Sequence, residues 1–238
     1  MQRNLGKWSM FCAAAALFAL SGQACPTSQQ TPAPTPLLKG LWAGTISGDV
    51  TSSTSTTGTA PPNPNPLSSN QTVRRNSDLQ LVFDDNAKPV SLPLPVSAFF
   101  TSTNLQFVTA FNVGESQTIT NTMTNSQPSG AVDSTTIQET ETITLTVTES
   151  TLTQDHFKVV YSTTDNDVTN NTGTGAFTPS TQTNASTGTL TIEATASIGF
   201  LTFSVQFNNT GTFTLTGALP ENGTASNSGT LQGTLAAD

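Results

Sequence analysis

Glu139 and Glu141 come closer than any other pair in this chain to the arrangement needed for a reaction. On an extended strand two residues of the same parity stand about 7 Å apart, near enough for two carboxylates to divide acid and base work. Both share parity with Ile143, Leu145 and Val147, so if the strand keeps its register they lie on the face that becomes core farther along. A plainer reading competes: a strand that runs past its core exposes both faces, and glutamates there are simply solvated. Nothing else in the chain converges on the pair, so no catalytic residue is assigned and the protein is read as not an enzyme.

Asp165-Asn-Asp167, followed by Asn170 and Asn171, offers oxygen groups of the kind that calcium uses. The run falls after a strand expected to end near Ser162 and is predicted to be a loop. Its spacing does not match an EF-hand, and a turn rich in Asp and Asn is the default for such a segment. Asp165 and Asp167 are therefore the candidate metal ligands, with calcium the candidate ion and no other cofactor expected. His156 is the single histidine. It opens a predicted strand as a surface residue, and without a second histidine or a free thiol there is no basis for a zinc site or a Ser-His or Cys-His nucleophile.

Cysteine usage points elsewhere. Arg3 and Lys7 precede an apolar run from Trp8 to Leu20, and Gly22 and Ala24 supply small residues just before Cys25. A basic start, a short apolar stretch and small residues make an export signal over 1–24. Its apolar run is shorter than the ~18 residues that a spanning helix needs, and no later run approaches that length. Cys12 leaves with the leader, which strips Cys25 of an intramolecular partner in an oxidising compartment. Residues 25–36, CPTSQQTPAPTP, form a proline-rich polar tether without the material for a core.

Leu20-Ser21-Gly22-Gln23-Ala24-Cys25 resembles the end of a bacterial lipoprotein signal, with Gly22 where a large aliphatic residue is usual. The resemblance implies that Cys25 is acylated and that the protein is lipid-anchored in the cell envelope, with the membrane as its partner. Cleavage after Ala24 to release a soluble secreted protein is the alternative. The chain of 238 residues carries a formal net charge of -8 and only 9% charged residues. Counterion release needs clustered cations, so nucleic acid is excluded as a partner. Whether a protein or a small ligand binds is left open.

Residues 37–238 are expected to form one threonine-rich β domain. In Glu141-Thr-Ile-Thr-Leu-Thr-Val-Thr148 the apolar residues take one face and threonine takes the other. The pattern recurs at 188–192, 201–207 and 211–217, with further strands predicted at 41–50, 78–83, 88–96, 105–113, 117–123, 156–162 and 228–235. Turn residues fall at Asp85-Asn86, Gln127–Gly130, Asn184–Thr187, Asn208-Asn209 and Pro220–Gly223. The fold class is all-β: an antiparallel β-sandwich or an incompletely closed up-and-down barrel of roughly nine to twelve strands. Pro89, Pro93 and Pro95 share parity, which predicts an edge strand. The stretch 51–70 is predicted to be a mobile low-complexity loop or strand extension. A membrane-spanning barrel is disfavoured, because Trp42 and Tyr161 alone cannot make two aromatic girdles.

Gly40-Leu-Trp42 resembles the Gly-x-Trp motif of lipocalins, small barrels that carry apolar ligands. That resemblance implies a cavity for which Trp42, Phe107, Phe111 and Phe203 are the candidate lining residues. Packing is the competing role for an isolated tryptophan. The function expected is a non-enzymatic structural or binding β domain of an exported envelope lipoprotein, with a carrier of a small apolar ligand as the alternative.

Overall fold

The computed structural model describes residues 37–57, 68–94, 106–129, 133–174, 179–217 and 220–238. Cys25, the leader and the tether therefore lie outside the described residues. Ten strands account for nearly all of the rest: β1 Gly40–Thr57, β2 Ser68–Phe83, β3 Pro89–Leu94, β4 Gln106–Val108 and β5 Ser116–Ser129; then β6 Asp133–Leu152, β7 His156–Gly173, β8 Ser180–Ser197, β9 Phe200–Thr216 and β10 Glu221–Ala237. Their order across the sheet is β4-β3-β2-β1-β10-β9-β8-β7-β6-β5, antiparallel at every pairing. The first and last long strands thus meet, and every other neighbour is also a neighbour in sequence. This is the course of an up-and-down barrel, with β4 and β5 left at the two ends of the order.

Alternation makes the strands. From Ile143 to Val147 on β6, and from Phe157 to Tyr161 on β7, every second side chain is buried. On β6 the intervening residues are Thr, and on the outer face Thr and Ser hydroxyls meet across strands, as in Ser116–Thr146 at 2.8 Å, Thr118–Thr144 at 3.2 Å and Thr51–Thr72 at 3.1 Å. Such pairs favour the sheet by a few tenths of a kcal/mol each, about 0.2–1.

One continuous core fills the end of the sheet that holds Trp42, Leu81, Leu145, Phe157, Tyr161, Leu201 and Leu235. Where β1 meets β10 the inner face alternates large and absent side chains: Gly44 opposes Leu235, Ile46 opposes Gly233, Gly48 opposes Leu231 and Val50 opposes Gly229. A Cβ on Gly48 would stand 1.8 Å from the Thr230 carbonyl oxygen, so glycine here permits the close approach of two backbones. The Trp42 indole donates to the Leu38 carbonyl at 2.7 Å, and Phe157 meets both Phe83 and Phe111 edge to face at about 6 Å.

Side chains bridge the ends of the order. Gln117 on β5 donates through Nε2 to the Phe107 carbonyl, and its Oε1 accepts from the Thr109 amide, both at 2.8 Å. One side-chain amide thereby makes the pair of bonds that an adjoining strand would make. Tyr161 adds a buried bond to the Ala110 carbonyl at 2.8 Å, and Glu115 accepts from the Phe111 and Asn112 amides.

Several boundaries differ from expectation. Residues 51–57 and 68–70 are paired strand, since β1 and β2 continue the ladder through Ser55–Ser68; the remainder of the predicted loop, 58–67, lies outside the described residues. Asn208-Asn209 and Asn184–Thr187 are not turns but the middles of β9 and β8, and Gln127–Ser129 and Glu221–Gly223 are paired strand at the end of β5 and the start of β10. Asp165 to Asp167 is not a loop, because β7 runs on to Gly173. In each case pairing with a neighbouring strand satisfies the backbone of a polar segment, which removes its reason to turn. The proline-bearing β3 is not the edge: it lies between β2 and the three-residue β4, with a register shift beside Pro89 on the β2 side.

Candidate functional site

Beyond the core the strands keep their pairing while the inward face changes chemistry. The register of β5 to β8 lines up Asn121, Glu141, Asp167 and Asn184 across four strands. The adjoining row toward the core runs Ile119, Ile143, Asp165 and Ser186, and the row away from it runs Met123, Glu139, Thr169 and Gln182. The two carboxylate pairs that the sequence presents as separate candidates, Glu139 with Glu141 and Asp165 with Asp167, are therefore one cluster on adjacent strands.

Glu141 is 5% exposed, while Glu139, Asp165 and Asp167 are half-buried. Asn184 donates to Asp167 Oδ2 at 2.8 Å, and Asn121 stands directly opposite Glu141 on the neighbouring strand. Three buried acceptors have no hydrogen-bond partner: Glu141 Oε2, Asp165 Oδ1 and Asp167 Oδ1. Toward the core, Thr163 donates to Asn209 Oδ1 at 2.9 Å and closes the polar region with a satisfied buried pair.

Burial pushes the Glu141 carboxyl up to about 7, with the charge of Asp165 adding to it, the nearby Asn121 amide opposing, and Asp167 and Glu139 contributing further. Burial likewise raises Asp165 to about 6, helped by Asp167. Asp167 is raised by burial and by Glu139 against the pull of Asn184. The common cause is that charged oxygen loses water here and meets like charge. The cluster can hold protons near neutrality and can offer acceptors to a donor that arrives.

Asp165 and Asp167 fall on the inner wall rather than in a calcium-type loop. Among the described residues no three His, Cys, Asp or Glu side chains stand close enough to hold one metal ion. The aromatic candidates are divided: Trp42, Phe111 and Phe203 are packed in the core, whereas Phe107 is 51% exposed on β4. His156 is half-buried with Nε2 2.8 Å from Glu193 Oε1, a pairing that only the β7–β8 register reveals. Asn121 and Asn184 were missed as site residues. Their signal, an Asn at an inward position of an otherwise Thr-alternating strand, has meaning only once the register is known.

A second concavity, of about 1320 Å³, lies across strands β1, β10, β9 and β8 and is lined largely by side chains such as Thr51, Thr191, Gln206, Thr230 and Gln232. Its charged pair Arg74–Asp49, 3.7 Å apart, is exposed on both sides. Unlike the inner cluster it presents hydroxyls and amides at the exposed face of the sheet.

The fold and the site define an all-β protein whose antiparallel sheet encloses an apolar core at one end and a carboxylate-bearing wall toward the other. Compared with family models, with curated proteins and with solved structures, the chain matches none.

Proposed function

We propose that the chain is an exported envelope lipoprotein, anchored through an acylated Cys25, whose β domain binds rather than catalyses. The observation that carries the binding reading is the set of buried, unpartnered carboxylate oxygens on the inner wall at Glu141, Asp165 and Asp167. Leaving a buried acceptor unmade costs about 1–3 kcal/mol, and a partner that supplies donors recovers that loss. Catalysis is the weaker reading, since a cluster of carboxylates can move a proton but needs a nucleophile or a second polarising group to do more. Packing of Trp42, Phe111 and Phe203 in the continuous core favours this reading over an apolar carrier. Export and anchoring rest on the basic start, the apolar run and the small residues before Cys25.

Intact mass of the protein recovered from its host tests the anchor. A chain beginning at Cys25 with added diacylglyceryl mass, in the membrane fraction, is the expected result. An unmodified chain in the soluble fraction overturns the anchor. Substituting Glu139 and Glu141 together with glutamine tests the non-enzymatic reading: any activity detected in the wild type should survive, and its loss would make the cluster catalytic.

A further inference from the structure

We infer that the inner wall formed by β6 and β7 is a binding site for an organic cation, an ammonium or guanidinium group presented by a small ligand, held by Glu141, Asp165 and Asp167. This deepens the binding reading above and is independent of the lipid anchor.

The chemistry follows from what the wall presents. Glu141 is almost fully buried, and its Oε2 lacks a hydrogen-bond partner; Asp165 Oδ1 and Asp167 Oδ1, on half-buried side chains one strand away, lack one too. All three are acceptors when ionised, so the complement is a group with several N–H donors and positive charge. A single metal ion fits less well, because among the described residues no three carboxylates converge on one point. Acceptors spread along two strand steps instead suit the several N–H groups of an amine or guanidine. Asn121 and Asn184 flank the row, and the Asn184 amide orients Asp167. Access is from the side away from the core, where Glu139, Asp165 and Asp167 retain partial exposure.

Among the described residues, Glu141, Asp165 and Asp167 form no ion pair with a cation; the pairs Lys39–Asp85, Arg74–Asp49 and His156–Glu193 lie elsewhere. The other ionisable residues of inward parity beyond the core, among the described residues, are Asp133 at the start of β6, Glu221 at the start of β10 and Arg75 on β2, which is exposed. Burial and like charge keep protons on the row near neutrality, and an incoming cation displaces them. Proton release on binding separates this site from loose attraction to an acidic surface.

The test is calorimetric titration of the exported protein with 1,4-diaminobutane at pH 6.5 and physiological salt, in two buffers of different ionisation enthalpy. Calcium chloride serves as the metal control. Expected are saturable binding at one site, a buffer-dependent heat that reports released protons, and at least tenfold weaker binding in Glu141→Gln/Asp165→Asn. These substitutions keep shape and remove like charge, so the variant should fold, which its circular dichroism and melting confirm. Equal affinity in the variant, heat independent of buffer, absence of saturable binding, or tighter binding of calcium than of the amine would each overturn the site. An unacylated Cys25 would leave the titration unchanged, so the anchor and the site fail separately.

Discussion

β7 carries two different interiors on one face. Toward His156 its inward side chains are Phe157, Val159 and Tyr161, all buried in the core; toward Gly173 they are Thr163, Asp165 and Asp167. The backbone ladder to β6 and β8 runs through both regions, and the outward residues remain largely polar. Strand pairing is thus indifferent to what the sheet encloses. Stability resides at the apolar end, where each large side chain removed from water contributes about 1.5–3 kcal/mol. At the other end the ladder holds carboxylates in a place where burial opposes their charge, which is what makes that end useful for binding.

The largest expected effect breaks the apolar end. Phe157→Ala removes a ring that packs on both Phe83 and Phe111, and should cost about 3–5 kcal/mol in urea unfolding. A loss below about 1 kcal/mol would mean that stability is not concentrated there. Gly48→Val attacks the same end through the backbone, since any Cβ collides with the Thr230 carbonyl. Separation of β1 from β10 should cost about 1–3 kcal/mol, and an unchanged midpoint would refute the close approach.

The carboxylate end should reverse the usual dependence on pH. Glu141 titrates about 7 when folded against an ordinary 4.5, and Asp165 about 6 against 3.8. Between those values the folded state keeps protons that the unfolded chain has released, so stability falls as pH rises from about 4 to about 7. The effect should be on the order of 2–3 kcal/mol, read as a lower urea midpoint at pH 8 than at pH 5, and Glu141→Gln should flatten the profile. A midpoint that climbs with pH across this window would contradict the burial of these groups.

The smallest effect lies at the bridge between the two ends of the strand order. Gln117→Ala deletes two hydrogen bonds to the β4 region, at about 1–2 kcal/mol together, and should speed hydrogen exchange at the Thr109 amide. Unaltered exchange there would show that the bridge is not held by that side chain.

Much of this architecture was legible from alternation. Thr-Ile-Thr-Leu-Thr-Val can satisfy a sheet with one dry and one wet face and cannot satisfy a helix, so the class, the antiparallel order and the strand count follow. The same reasoning failed at Asn208-Asn209 and at Asp165–Asp167. Local preference for turns is weak, and two flanking strands that bond every amide override it.

The sequence by itself determined that this chain is all-β, that its apolar residues share faces, and that Glu139, Glu141, Asp165 and Asp167 are where chemistry is to be sought. Only the tertiary structure decided that the four belong together. Parity assigns a residue to a face, but the residue it meets across the ladder depends on register, and register is set by how the cores of all neighbouring strands align. The Ile143–Asp165 and Glu141–Asp167 pairings exist because Leu145, Val147, Val159 and Tyr161 lock β6 against β7 farther along.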